Sequence, residues 1–174
     1  MKKITLVILL MVTLIANGCS GVKSKEVEKE VEPSESISLE EMKKIDLYVL
    51  VMTAAFNEEN GGNGFIAVEM KSLEGLSDKG KEEVLNKLKS IAKNVYPFEE
   101  VKDDSTKFEK DKDGNLRRSL NGTLLSVRVE KMSKNKATIE ATSWFGNLGA
   151  VFPKYKAIYK NGKWNLELLS MAIS

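Results

Sequence analysis

The chain has 174 residues, of which 42% are hydrophobic and 30% charged, the balance of a folded domain plus a leader rather than of a disordered chain. Its formal charge is +2, and removing Lys2 and Lys3 with an N-terminal leader leaves 25 basic against 25 acidic residues, interleaved along the chain; this argues against nucleic acid as a partner, because phosphate backbones require a net basic face. Histidine is absent and cysteine occurs once, as Cys19, which excludes Ser-His and Cys-His nucleophile pairs, an internal disulfide and a thiolate zinc site.

The N-terminus opens with Met1-Lys2-Lys3, a short positive segment. Ile4 to Ala16 follows as thirteen uncharged residues, the length of a signal-peptide core and short of the ~20 residues of a membrane span. Ala16-Asn17-Gly18 places small residues before Cys19. This arrangement resembles the lipobox of bacterial lipoproteins, with Ala16 where the family usually has Leu. The resemblance implies cleavage after residue 18 and a diacylglyceryl group on Cys19, with no other cofactor. It also implies a protein held on the extracytoplasmic face of the cell membrane, with the membrane as its first partner. Two acyl chains anchor stably, since each buried CH₂ is worth about 0.8 kcal/mol. Ordinary signal-peptidase cleavage suits the same bond and would leave a free thiol.

Residues 19–37 form a polar, acidic tether. Lys25 to Glu32 repeats Lys, Glu and Val, but Val27 and Val31 offer too little apolar surface to dock, and Pro33 interrupts any helix. Ser20 to Ser36 extends to at most ~60 Å. A solvated spacer is the plain reading, and an acidic docking tail is the functional alternative.

The folded domain is expected over 38–174. Ser38-Leu-Glu-Glu41 is a capping box flanked by Ile37 and Met42, which fit a hydrophobic staple. Leu39, Met42, Ile45, Val49, Met52 and Phe56 recur at helical spacing, and Leu47, Leu50 and Val51 widen the stripe, predicting a helix over about 39–57. Asp46 and Tyr48 are its polar exceptions. Asn60-Gly-Gly-Asn-Gly64 reads as a turn or mobile loop, and Phe65 to Met70 as a short strand. Ser77 or Asp78 starts a second helix, whose apolar face runs from Val84 to Val95, and Tyr96-Pro97 stops it.

From Phe98 onward the chain reads as β. Glu109-x-Asp111-x-Asp113-Gly114 looks like the front half of an EF-hand calcium loop. Leu120 stands where the closing bidentate Glu belongs, so a solvated hairpin turn explains the residues and no metal is assigned. Thr123 to Glu130 and Ala137 to Phe145 alternate as strands. Ala137, Ile139, Ala141 and Ser143 make a small-residue face suited to lie under a helix. Pro153 suggests an edge position or a bulge in the next strand.

Asn161-Gly162 is the strongest turn signal in the chain, because both residues accept the φ > 0 of a type I′ turn. A two-residue turn sets Lys160 opposite Lys163; Tyr159 is then opposite Trp164, Ala157 opposite Leu166 and Tyr155 opposite Leu168, these three pairs on one face. Ile158 pairs with Asn165, and Lys156 with Glu167, on the other. The closing Tyr159-Lys-Asn-Gly-Lys-Trp-Asn-Leu166 is similar to the last hairpin of many NTF2-like (cystatin-like cone) lipoprotein domains. The resemblance implies an α+β fold of two helices packed on a curved antiparallel sheet of about five to six strands, enclosing a pocket.

Two kinds of function are open. One is a non-enzymatic binding or interaction domain, for a small apolar ligand or an envelope protein. Trp144, Tyr155, Asp46 and Tyr48 are then candidate ligand-binding residues, Trp144 foremost because its strand face is otherwise polar. Variants of this reading are an accessory or substrate-binding lipoprotein of a peptide importer and an inhibitor-type partner presenting an exposed apolar patch. The other is a histidine-independent enzyme built on carboxylates such as Asp46, Glu69 and Glu140. No spacing binds these into a constellation, so no catalytic residue is assigned.

Overall fold

The structure is a computed structural model and describes residues 36–174. The expected leader (1–18), Cys19 and all but the last two residues of the tether lie outside the described residues. Among the described residues no helix is long and apolar enough to cross a membrane.

Helix α1 (Leu39–Glu58) is the spine of the domain. Ser38 caps it by accepting the Glu41 N–H at 3.1 Å, and Ile37 and Met42 both pack on the core. Ile45, Tyr48, Val51, Met52 and Ala55 form its buried stripe, whereas Leu39, expected on that stripe, is 91% exposed. The Glu41 carboxylate, expected to close the capping box onto Ser38, accepts the Ser77 N–H at 2.6 Å instead. It thereby ties α1 to the start of α2 (Asp78–Leu88), where Ser77 accepts the Gly80 N–H. The second helix is shorter than its pattern predicts: Ile91 and Ala92 still pack on the core, but from turns, and Val95 is already in a strand.

The sheet has eight strands: β1 (Phe65–Val68), β2 (Val95–Pro97), β3 (Phe108–Lys110), β4 (Leu116–Ser119), β5 (Gly122–Ser133), β6 (Lys136–Gly146), β7 (Gly149–Lys160) and β8 (Lys163–Ile173). The main order is β2-β1-β5-β6-β7-β8, and the β3–β4 hairpin joins the end of β6 through Arg118 opposite Gly146. The α+β layering is as expected. The strand count and directions differ, because β1 runs parallel to both β2 and β5, which makes the sheet mixed. The cause is that α2 crosses between β1 and β2, a connection that permits parallel neighbours.

The final hairpin has the register its sequence sets, from Lys160 opposite Lys163 to Tyr155 opposite Leu168. Asn161 and Gly162 take φ of 54° and 77°, and Lys156 meets Glu167 at 2.9 Å. Pro153 lies in the interior of the sheet rather than at an edge. Phe152 and Pro153 have no β6 partner, and the adjacent β8 ladder bulges at Leu169.

A main core lies between α1, α2 and one sheet face, and includes Ile45, Tyr48, Met52, Ile66, Leu125 and Ile139. A second apolar cluster covers the other face of β1. Phe65, Ala67, Val101 and Phe108 are buried there, with Phe108 edge-on to Phe65 at 5.5 Å and to Phe98 at 5.7 Å. The stretch after Tyr96, expected to be β throughout, forms this layer through a one-turn helix α3 (Phe98–Val101) and the β3–β4 hairpin. With both faces covered, all four β1 residues are buried. The residues from Glu35 onward form a compact unit, and the main core lies within it among the described residues.

The Asn60–Gly64 segment is packed rather than loose. Asn60 donates to the Phe56 carbonyl at 2.9 Å, Gly61 N–H donates to Thr123 Oγ1 at 3.0 Å, and Ser143 Oγ donates to the Glu59 carbonyl at 2.6 Å. Buried Thr123 and Ser143 thus absorb the polar groups at the end of α1. Gly122 lies flat on the Phe65 ring, where a Cβ would overlap the ring atoms. Its φ is not positive, so packing alone demands glycine there. Gly122→Ala is expected to destabilise the domain by about 1–3 kcal/mol in urea unfolding. Phe65→Leu in the same chain should recover part of that loss, and strictly additive effects would contradict the assignment.

Candidate functional site

The four residues proposed as ligand-binding do not converge. Trp144 is half-buried on the face of β6 away from α1, against the second apolar cluster. Tyr155 stands opposite Ile139, on the face under α1, and is buried. The sheet therefore separates the two rings. Asp46 is exposed on the flank of α1 and pairs with Lys87 of α2 at 3.2 Å. Tyr48 is in the main core, and its hydroxyl donates to the Glu74 carbonyl at 2.9 Å. Burial, with the Glu74 charge adding to it, pushes the Tyr48 phenol up to about 12. Burial and Glu58 likewise raise Tyr155, whose buried hydroxyl has no hydrogen-bond partner.

The carboxylates considered for catalysis are also apart. Glu140 lies in a cross-strand charge ladder on the outer sheet face, where Arg128 meets it at 3.0 Å and Lys154 reaches Glu130 at 2.7 Å. Glu69 follows β1 and has one buried oxygen without a hydrogen-bond partner. Every carboxylate with a resolved shift moves downward. Lys107 and Thr106 hold Asp104 at about 2, Lys110 lowers Asp103, Lys102 lowers Glu99, and Lys154 lowers Glu130. These anions are stabilised as charges, which suits ion pairs rather than proton transfer at neutral pH. Asp111 Oδ1 accepts the Asp113 and Asn115 N–H groups of its own turn, both at 2.9 Å, and Oδ2 accepts Asn115 Nδ2 at 3.2 Å. No group of three or more acidic or cysteine side chains is placed to hold a metal among the described residues.

The feature that does gather functional chemistry is the outer edge of β8. This strand pairs only with β7 among the described residues, so its other side presents free backbone donors and acceptors. Leu168, Leu169, Met171 and Ile173 are exposed along it, Ile173 at 66%. No charged residue occurs from Leu168 to Ser174. Natural edge strands usually carry charge, proline or a covering element against unwanted pairing. Along Leu168–Ser174 the bulge at Leu169 is such a device. Sequence reasoning missed this site because alternation shows which residues share a face but not where the helix layer stops. The signal available was the uncharged run Leu168–Ser174 in the last strand of a meander.

Comparison with known proteins gives no relative: no family model, curated protein or solved structure matches the chain.

The Tyr48 geometry fixes an alkaline response. A phenol held neutral in the folded state contributes stability that is whole below its unfolded pKa near 10 and is lost as pH rises toward about 12. Tyr48→Phe is expected to cost about 1 kcal/mol at neutral pH through the lost hydrogen bond. Its unfolding free energy should then fall less steeply than wild type above pH ~10. Parallel curves in urea titrations across this range would show that Tyr48 does not carry the effect.

Proposed function

We propose that the protein is a membrane-anchored extracytoplasmic lipoprotein whose domain acts as a non-enzymatic interaction module, binding an envelope protein along β8. The observation that carries this reading is the uncharged, exposed apolar edge of β8. Main-chain groups along such an edge supply affinity for an added strand, and the side chains Leu168, Met171 and Ile173 supply selectivity for an apolar partner. The scattered placement of Trp144, Tyr155, Asp46 and Tyr48 favours this over a pocket for a small apolar ligand. The anchor rests on Cys19 and its lipobox-like context. An NTF2-like relationship is part of the same proposal, supported by the final hairpin and by α1 and α2 on one face of the sheet.

In cells fed labelled fatty acid, the full chain is expected to take up label and fractionate with membranes. Cys19→Ser should abolish the label. A photo-crosslinking residue at Ile173 is expected to capture one discrete envelope protein, and the same residue at Asp113, in the β3–β4 turn, is not. Loss of that capture in a Leu169→Lys, Met171→Lys chain with an unchanged melting curve would support the edge as the interface. Equal capture from both positions would overturn the interaction reading, and undiminished label in Cys19→Ser would overturn the anchor.

A further inference from the structure

The sequence interleaves its charges, but the fold separates them at one end. The β5–β6 turn carries Lys134, Asn135 and Lys136, and the β7–β8 turn carries Lys160, Asn161, Gly162 and Lys163. The two turns are neighbours, because the Tyr159 N–H donates to the Asn135 carbonyl at 2.9 Å. All four lysines are exposed, and none makes an ion pair among the described residues. Lys160 and Lys163 stand directly opposite each other across the hairpin, a like-charge pair that weakens it.

Most acids nearby are already engaged. Glu130 is taken by Lys154, Glu167 by Lys156, Asp46 by Lys87 and Glu41 by Ser77, which leaves Glu40 as the unpaired acid at this end among the described residues. Beside the lysines is an open cleft of 540 Å³, lined in part by Leu39, Lys43, Tyr159 and Lys160. Leu39, at its rim, is 91% exposed. The cleft also carries Glu40 and Asp46, the latter paired with Lys87, but an exposed apolar side chain beside Lys43, Lys134 and Lys160 matches the layered chemistry of a bilayer surface, with anionic headgroups outside and hydrocarbon beneath.

From this we infer a second membrane contact: the two lysine-bearing turns, with Leu39 between them and the start of α1, dock on a bilayer surface rich in anionic phospholipid headgroups. Two observations point to a bilayer rather than a soluble anion. The lysines lie on two separate turns, and the described residues begin at this same end, beside the start of α1, where an anchor on Cys19 as proposed above would hold the chain to a bilayer. The contact does not depend on the lipid on Cys19, and it places the apolar part of β8 at the far end of the sheet, where Ile173 pairs with Val151.

The test uses the chain from Ser20 to Ser174, which lacks the anchor and retains the compact unit with its own core. Cosedimentation with vesicles of equal parts phosphatidylglycerol and phosphatidylcholine at low ionic strength is expected to show binding that weakens with added salt. Pure phosphatidylcholine vesicles should bind little. Each lysine near an anionic surface contributes about fivefold. Lys134→Glu, Lys136→Glu, Lys160→Glu and Lys163→Glu together should therefore lower the partition coefficient about a hundredfold or more, with an unchanged melting curve. Arg117→Glu, at the opposite end, should leave it unaltered. No binding to anionic vesicles, equal binding to both vesicle types, or equal loss in Arg117→Glu would overturn the proposal. Binding to a soluble polyanion with none to vesicles would assign the lysines to that polymer instead. Because the lipid is absent throughout, failure here leaves the anchor untouched, and loss of the Cys19 label leaves this contact untouched.

Discussion

The fold depends on how α1 is pinned to the tips of two hairpins. Trp164 Nε1 donates to the Lys43 carbonyl at 2.7 Å, which fixes the start of the helix over β8. Lys43 then extends across the face of Tyr159, its ammonium 4.0 Å from the ring centroid, to donate to the Lys134 carbonyl and to Asn135 Oδ1 at 2.8 Å. Tyr159 and Trp164 meet edge-to-face at 5.2 Å. One lysine side chain and two rings thus join a helix, the β5–β6 turn and the β7–β8 turn. Fixing these long side chains costs conformational entropy that an isolated surface ion pair recovers poorly. Here the cost is offset because the same atoms serve three elements. At its other end, α1 is closed by Ser143 and by the Asn60–Gly61 contacts, so the helix is held at both ends over the length of β6.

This arrangement explains what was legible in the sequence. The Asn161-Gly162 turn dictates its own register, because a type I′ turn leaves no freedom in the pairing that follows, and every pair from Lys160–Lys163 to Tyr155–Leu168 obeys it. The small face of Ala137, Ile139 and Ala141 was legible for the same local reason: a helix approaches closely only where side chains are short. The α1 stripe was legible in its centre and not at its start. Periodicity continues through Leu39, but that side chain is 91% exposed.

The failures are all non-local. Tyr96 to Phe108 carries β-favouring residues, but its course is set by Phe65 on a distant strand, against which Phe108 packs and, with Phe98, closes the second cluster. Strand direction fails similarly, since β1 pairs on one side with β2 and on the other with β5, which begins more than fifty residues later in the chain. The candidate site fails for a third reason. Trp144 and Tyr155 are both candidate ligand-binding residues on adjacent strands, but the register Ile139–Tyr155 and Trp144–Ala150 puts them on opposite faces. A one-residue difference in parity is enough to place two rings on opposite sides of a sheet.

The two ends of the sheet are chemically opposed, and the strand that joins them shows why. β8 begins at Lys163, carries Glu167 at mid-length, and is uncharged from Leu168 onward. Its first half is held by Trp164 under α1, and the apolar residues of its second half, Leu168, Leu169, Met171 and Ile173, are exposed. A free strand that is apolar, uncharged and laddered along its length invites association wherever another strand can reach it. If the protein is tethered and oriented by its basic end, as proposed, that reach would be restricted to partners on the far side of the domain. Orientation at a surface would then do part of the work that charged gatekeepers perform in freely diffusing proteins. On that proposal the lysines at one end and the uncharged strand at the other are two parts of one arrangement: the first would limit which way the domain faces, and the second would be tolerable because that direction is limited.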